Sequence, residues 1–385
     1  MKRSEAYFRG CLLGGAIGDA FGSPVEFLSL AEIKERYGPG GITDLEVGPG
    51  GRAEITDDTQ LTLFTAEGLL RAEVQRREGG RSDLPTVVYH AYLRWLHTQG
   101  YPRAGGREDI YDGWLLEERE LHARRAPGVT CLSALLSGKM GTIEEPVNDS
   151  KGCGAVMRSA PVGLLYPKEE AFQIACECGA ITHGHPSGYF AAGALAWLIA
   201  ALIEGEEIAG AVEGALAKLD GYKEGGECRA AITRAVELAT GSEVPERAVE
   251  MLGEGWVGEE ALAIAVYCAL KSGGDFLRGL IIAANHGGDS DSTAAITGNI
   301  LGAYLGLSGI PEKWLAKIEL DRVLFQMADD LCSSAIRTRR NGGKNIRAGE
   351  GPLFWGNSLG IYIEGGTMAA AKQSSRGDYG AAFSR

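Results

Sequence analysis

The stretch Ser4-Glu5-Ala6-Tyr7-Phe8-Arg9-Gly10-Cys11-Leu12-Leu13-Gly14-Gly15-Ala16-Ile17-Gly18-Asp19-Ala20-Phe21-Gly22 decides the fold. Its apolar positions recur at helical spacing, yet up to Phe21 it carries four glycines, Gly10, Gly14, Gly15 and Gly18, and Gly22 follows at once. A glycine inside a helix costs about 1 kcal/mol relative to alanine. So many in one helix imply that another backbone, or a ligand, packs against it more closely than a side chain would allow.

Working outward, helical periodicity continues. Residues 59–75 form a helix with Leu61, Leu63, Phe64, Leu69 and Leu70 as its apolar positions, and 85–97 an aromatic-rich third. An irregular stretch broken by Gly, Pro and Asp follows over 100–162, a length that is usually functional. Helices resume over 169–180, 186–204, 207–219, 227–240, 259–271, 274–285, 291–306 and 320–337. With no alternating run and no repeat, the pattern is all-α: a single large multi-helix domain over 1–337. A basic, Gly-rich tail (338–385) is expected to be loosely held.

Two acidic clusters far apart in the chain each precede an apolar helical run: Thr56-Asp57-Asp58-Thr59 and Gly287-Gly288-Asp289-Ser290-Asp291-Ser292-Thr293. Neither core contains His or Cys. Hard oxygen donors of this kind suit Mg²⁺ or Mn²⁺ and not zinc. Four carboxylates exceed what one Mg²⁺ usually takes from protein, so a binuclear metal site at helix N-termini is the natural reading. The plainer reading is helix capping, since Asp, Ser and Thr accept orphan N–H groups there. Capping needs one or two such residues, not Asp-Asp or Asp-x-Asp, and it does not call for Gly287-Gly288.

Composition narrows the classes. The chain has 385 residues, 45% hydrophobic and 23% charged, as in soluble globular proteins. A net charge of −13 disfavours nucleic-acid binding through phosphates. It does not disfavour a single phosphate-bearing ligand, because divalent ions and helix N-termini supply local positive charge. Eight cysteines without a C-x-x-C pair read as buried free thiols in a reducing compartment. The first residues do not form a signal-peptide core, and the longest apolar run, Phe190 to Ile203, is short for a membrane span. A cytoplasmic protein with no membrane partner is expected.

With both clusters placed, the chain resembles the ADP-ribosylglycohydrolase family, which includes ADP-ribosylarginine and ADP-ribosylserine hydrolases and the dinitrogenase reductase activating glycohydrolases. Gly10 to Glu26 resembles the family's first helix and following loop, Ile55 to Thr59 its first metal motif, and Asn285 to Thr293 its second. The resemblance runs through most of residues 8–306. It implies an all-α domain holding two Mg²⁺ or Mn²⁺ ions, with Thr56, Asp57, Asp58, Asp289, Asp291 and Ser292 as ligands. It also implies an ADP-ribosylated protein or small ADP-ribose conjugate as substrate. Ser292 stands where many members have Thr, which resembles the arginine-directed branch. Glu26 aligns with a carboxylate that serine-directed members use beside the metals. With Asp57 and Asp58 it completes the implied catalytic set.

Ser150-Lys151-Gly152-Cys153-Gly154-Ala155-Val156-Met157-Arg158 resembles the loop that wraps the pyrophosphate and adjacent ribose. Ser150, Gly152, Cys153 and Gly154 are its implied contacts, with Cys153 in place of an Asn of many members. Arg158 fits a buried ion pair or direct ligand contact equally. Thr182-His183-Gly184-His185-Pro186 resembles a Thr-His-x-x-Pro segment before a long helix and implies that His183 binds the ligand's phosphates. His286 fits packing or the orientation of a metal ligand. Nitrogenase-linked members carry an Asp-Ile-Gly segment whose Asp has been proposed as base. Here Ala126-Pro127-Gly128-Val129-Thr130 takes that place without an Asp, and Asp109-Ile110 is a poorer alternative alignment.

The leading expectation is therefore a metal-dependent hydrolase that removes ADP-ribose from arginine. ADP-ribosyl-serine or O-acetyl-ADP-ribose are alternative substrates. A catalytically silent ADP-ribose binder and a two-metal phosphohydrolase are the competing classes. The silent binder is disfavoured because every ligand position carries a competent oxygen donor.

Overall fold

The glycines of the first helix meet backbone. The structure, a computed structural model, describes residues 2–80 and 83–340, with side chains up to Arg337. Among the described residues there are sixteen α-helices: α1 (Glu5–Gly22), α2 (Leu30–Tyr37), α3 (Asp57–Arg77), α4 (Leu84–Thr98), α5 (Val129–Leu136), α6 (Ala160–Leu165), α7 (Lys168–Ala180), α8 (Pro186–Glu204), α9 (Ile208–Asp220), α10 (Gly226–Thr240), α11 (Pro245–Glu250), α12 (Gly258–Lys271), α13 (Phe276–Ala284), α14 (Ser290–Leu305), α15 (Glu312–Leu315) and α16 (Asp321–Arg340). Among the described residues only two isolated bridges have β pairing, Ala53 with Ile318 and Gly152 with Val257. The fold is all-α, as the periodicity predicts.

Helix α1 lies antiparallel along α14, and their shared surface is the most extensive of any helix pair. A Cβ on Gly10 would strike the Gly302 carbonyl oxygen; one on Gly14 would strike that of Gly298, and one on Gly18 that of Ala294. At the far end Gly22 abuts the Ser290 carbonyl. α14 answers in kind: Gly298 faces Gly14 O and Gly302 faces Gly10 O. Asn299 fills the space beside Gly15 and donates to Cys11 O at 2.9 Å. Of the two explanations for a glycine-rich helix, close backbone packing is the one observed.

The centre of the core is α8, buried from Ser187 to Ile203. By length and composition α8 could cross a membrane, yet 94% of its most apolar window is enclosed by other helices. Packed beside it, α7 closes on Gly193 through Phe172 and Cys176. A fully buried ion pair, Arg94 to Glu67 at 2.8 Å, ties α4 to α3. All eight cysteines are free, and only Cys153 is partly exposed.

Three differences from the sequence-based expectation have physical reasons. Residues 100–162 are not irregular throughout: α5 forms there with Cys131, Leu132, Ala134 and Leu135 buried. Its opening Val129-Thr130 is β-branched, a poor helix signal that tertiary burial overrides. α2 lacks a strong apolar stripe, with Ile33 as its buried residue, but Ser29 and Glu32 form a capping box that is legible as Ser-x-x-Glu. The last helix reaches Arg340, past the expected boundary at 337, and the rest of the expected tail lies outside the described residues.

A methyl group on the α1–α14 seam has nowhere to go. Gly302→Ala should therefore destabilise by about 3 kcal/mol, at the upper end for overpacking, whereas Gly210→Ala, with open space around it on α9, should gain up to about 1 kcal/mol. Thermal unfolding of the two variants beside the parent measures the contrast; equal midpoints would refute the seam.

Candidate active site

The antiparallel pairing brings the N-terminus of α14 beside the C-terminal half of α1, and α1 carries Asp19. This buried carboxylate accepts hydrogen bonds from four donors at the start of α3, one of them shared by both oxygens. Thr56 donates its N–H at 3.1 and 3.0 Å and its hydroxyl at 2.8 Å; Thr59 donates its N–H at 3.1 Å and its hydroxyl at 2.5 Å. Asp19 thus docks the first acidic cluster against the second. Thr56 Oγ1 also lies 3.3 Å from Asp291 Oδ2, across the two clusters. Sequence reasoning assigned Asp19 no role, although an Asp inside an apolar, glycine-rich helix is itself a signal.

A cleft of about 310 Å³ opens over this junction. Asp57 and Asp58 enter it from the first turn of α3, Asp289 from the N-cap of α14, and Asp291 and Ser292 from the first turn of α14. Glu26 enters from the loop after α1, and Gly152, Cys153, Gly154 and His183 from the opposite side. Two expected site residues stand just behind the lining. Thr56 is held by Asp19, and Ser150 Oγ pairs with Thr130 Oγ1 at 3.0 Å and accepts from Gly152 N–H at 3.3 Å.

The carboxylates have few partners of their own. Asp57 Oδ2 accepts the Gly128 N–H at 3.0 Å, and Asp289 Oδ2 accepts the Cys153 thiol at 2.7 Å. Asp58 Oδ2 is buried with no hydrogen-bond partner among the described residues. Ligand atoms of Glu26, Asp289 and Asp291 lie within 4.8 Å of one another. Burial, then mutual repulsion, pushes Asp58 and Asp291 well above the usual carboxylate range; burial also raises Asp57, against the Gly128 N–H. Asp19 rises to about 6 through burial, and Glu26 to about 9 through burial followed by Asp291, Asp57 and Asp19. An orphaned buried oxygen amid converging oxygen donors, with no cationic side chain among the residues that line the cleft, is the donor set a hard divalent cation fits.

Opposite the acids, Gly152 and Cys153 are pinned by Val257 and Trp256: Cys153 N–H donates to Trp256 O at 3.1 Å. Of the loop's N–H groups, those of Gly152 and Cys153 are thus already used. Asn148 clasps this loop to the Thr-His segment, donating to Thr182 O at 2.8 Å and accepting from Ser150 and Gly184 N–H. His185 caps α8, its Nδ1 accepting the Ser187 N–H. His286 is buried against Thr293 Oγ1 at 2.9 Å and does not line the cleft. Arg158 is buried, and among the described residues no carboxylate lies within ion-pair distance of it, so of its two equal readings the ion pair is not found. The segment 126–130 does line the cleft, and Asp109 does not.

At the mouth lies an apolar rim that sequence reasoning missed. Phe27, 70% exposed, stacks on Trp256 at 5.3 Å between ring centroids; Val129 is 81% exposed. Phe27 holds φ at +66°, a conformation costly for a non-glycine residue.

The ADP-ribosylglycohydrolase family matches residues 2–341 of this sequence. The chain belongs to that family. An uncharacterized protein of Archaeoglobus fulgidus is 30% identical, covering 86% of this chain and 98% of its own. ADP-ribosylarginine hydrolase Tri1 of Serratia proteamaculans is 27% identical, covering 84% and 78%. A solved structure titled as an ADP-ribosylglycohydrolase-related protein complex superposes with a TM-score of 0.62 at 27% identity, covering 87% of this chain and 99% of that one. This member is a glycohydrolase that acts on ADP-ribose conjugates.

In the metal-free protein the folded state holds the Glu26 proton up to about 9, against an ordinary value of 4.5. Folded molecules therefore bind more protons than unfolded ones across that window. The stability associated with Glu26 is present at its acid end and is lost as pH rises. In chelator, the unfolding midpoint should fall from about pH 6 to pH 9, and less steeply in Glu26→Gln. A flat parent profile would contradict the crowded-carboxylate picture.

Proposed function

We propose that the cleft hydrolyses the bond between an ADP-ribose unit and an arginine side chain, with two Mg²⁺ or Mn²⁺ ions held by Thr56, Asp57, Asp58, Asp289, Asp291 and Ser292. The observation that carries this reading is the convergence of two distant acidic clusters on one cleft, with Asp58 Oδ2 left unpartnered. Bound there, the ions supply positive charge that orients ribose hydroxyls and lowers the pKa of a water.

The chain's own groups do the rest. Asp19 fixes the start of α3 so that Asp57 and Asp58 face the second cluster. Glu26 reaches the cluster from a loop and can move a proton at its carboxyl oxygen, toward the leaving nitrogen or from the attacking water. Cations in the cluster oppose the upward shift of Glu26, so its pKa in the loaded enzyme lies below that of the metal-free protein. Gly152, Cys153, Gly154, His183 and, behind them, Ser150 form the side that receives the diphosphate and its ribose. The likeness to ADP-ribosylarginine hydrolase Tri1 of Serratia supports arginine as the linkage, as does Ser292. A silent binder of ADP-ribose is the reading to separate from this one.

Incubation with ADP-ribosyl-arginine, ADP-ribosyl-serine and O-acetyl-ADP-ribose, with Mg²⁺ or Mn²⁺ and with chelator, tests substrate and metal together. Release of ADP-ribose from the arginine conjugate, lost on chelation, is expected; turnover of the serine conjugate alone would overturn the linkage, and turnover of none would favour the silent binder.

Asp57→Ala and Asp291→Ala should each abolish turnover while leaving the helical circular dichroism intact. Glu26→Gln should lower kcat by about 10²-fold or more with little change in ADP-ribose affinity, the signature of a transition-state role. Steady-state kinetics beside calorimetric titration of ADP-ribose distinguishes this from lost binding. An unchanged kcat would move the proton-transfer role to Asp57 or Asp58.

A further inference from the structure

The group that faces the Gly152–Gly154 loop from the far side is the His183 imidazole. A Cβ on Gly152 would sit 3.4 Å from His183 Nε2, and one on Gly154 would sit 3.2 Å from it. Nε2 therefore points along the loop into the cleft, while Nδ1 points away. Nδ1 lies 2.8 Å from Thr182 Oγ1, and that oxygen accepts from Arg158 Nη2 at 2.7 Å. All three side chains are essentially without solvent contact.

The proton inventory of this chain is constrained. A guanidinium only donates. The Thr182 oxygen, already accepting from Arg158, has one proton of its own to place, and His183 Nδ1 lies within reach to accept it. If Thr182 donates to Nδ1, Nδ1 is bare and the ring proton sits on Nε2. We infer that Arg158 and Thr182 are positioning residues that lock His183 as the neutral Nε2–H tautomer, a fixed donor aimed at the ligand's diphosphate. The inference rests on the reading of the cleft as an ADP-ribose site.

Three further observations bear on it. Among the described residues Arg158 has no carboxylate partner and is held instead by the Tyr92 ring, 4.2 Å from its guanidinium carbon, and by Cys131 Sγ at 3.4 Å. Its charge is therefore not cancelled nearby among the described residues, and it sits behind one wall of an acidic cleft that has to admit an anion. The same charge, after burial, pushes His183 down to about 3, so the ring is neutral and only one nitrogen carries hydrogen. Finally, the N–H groups of Gly152 and Cys153 are spent on Ser150 Oγ and Trp256 O. With those two donors used, an imidazole N–H on this wall is a further donor for the anion, and a neutral ring can give it only if its tautomer is set.

The test is spectroscopic first and thermodynamic second. Protein labelled with ¹⁵N-histidine, with the His183 signals identified by their loss in His183→Gln, reports in long-range ¹H–¹⁵N spectra which ring nitrogen carries the proton. The expected result is a protonated Nε2 and a bare, hydrogen-bonded Nδ1 in the parent protein. Thr182→Val should remove the hydrogen bond at Nδ1 and weaken ADP-ribose binding on the order of tenfold, as loss of one well-aimed donor to a charged group does. Thr182→Ser should restore both. A parent spectrum with the proton on Nδ1 overturns the lock, as does Thr182→Val with parent-like signals and affinity. If Thr182→Val does not fold, the parent and Thr182→Ser spectra decide the tautomer. If the parent binds no ADP-ribose, the reading of the cleft falls while the spectrum still decides the lock.

Discussion

Everything in the candidate active site depends on how closely α1 can approach α14. Two ordinary helices pack with axes about 8–10 Å apart, because side chains at the seam hold them off. Here Gly10, Gly14, Gly18 and Gly22 on one helix meet Gly302, Gly298, Ala294 and Ser290 on the other. The propensity lost at each glycine is offset by packing gained along the whole seam. The consequence is positional. The antiparallel seam sets the first turn of α14 at the end of α1, where Asp19 sits and from which the Glu26 loop departs.

From that fixed point the site assembles through one carboxylate. Asp19 has no solvent contact and uses both oxygens to hold Thr56 and Thr59. Asp57 and Asp58 then have little choice but to face Asp289 and Asp291. Concentrating acids in this way is unfavourable in isolation, and burial and repulsion drive them to retain protons. A site of this kind spends folding stability to be ready for positive charge. On the opposite wall the electrostatics reverse. Arg158, uncancelled by any nearby carboxylate among the described residues, sits behind His183 and the glycine loop. The cleft is therefore polar in the literal sense, with acids on one side and a buried cation behind the other.

The helices were legible because their apolar positions repeat at helical spacing for two or more turns, as in α3, α8 and α12. Short elements were not. α5 depends on burial of Cys131 and Leu135 against neighbours, and α2 on a capping box with hardly any apolar stripe. Among the site residues, Asp57, Asp58, Asp289 and Asp291 stood out because clustered acids before an apolar run exceed what capping needs. Asp19 did not, since its partners are distant in sequence. Phe27, Trp256 and Val129 did not either, since single exposed apolar residues carry no pattern until the cleft mouth brings them together.

The chain by itself determined the fold class, the donor chemistry and the family resemblance, because these follow from periodicity, residue type and short-range spacing. It also determined that something must lie against the first helix, since four glycines in one helix require it. The identity of that something, α14, is decided by tertiary packing. So are the docking of the two acidic clusters through Asp19, the surroundings of Arg158, which hold no ion-pair partner among the described residues, and the direction in which His183 points. These are long-range relations between groups that local spacing does not encode, set by which surfaces fit at backbone contact.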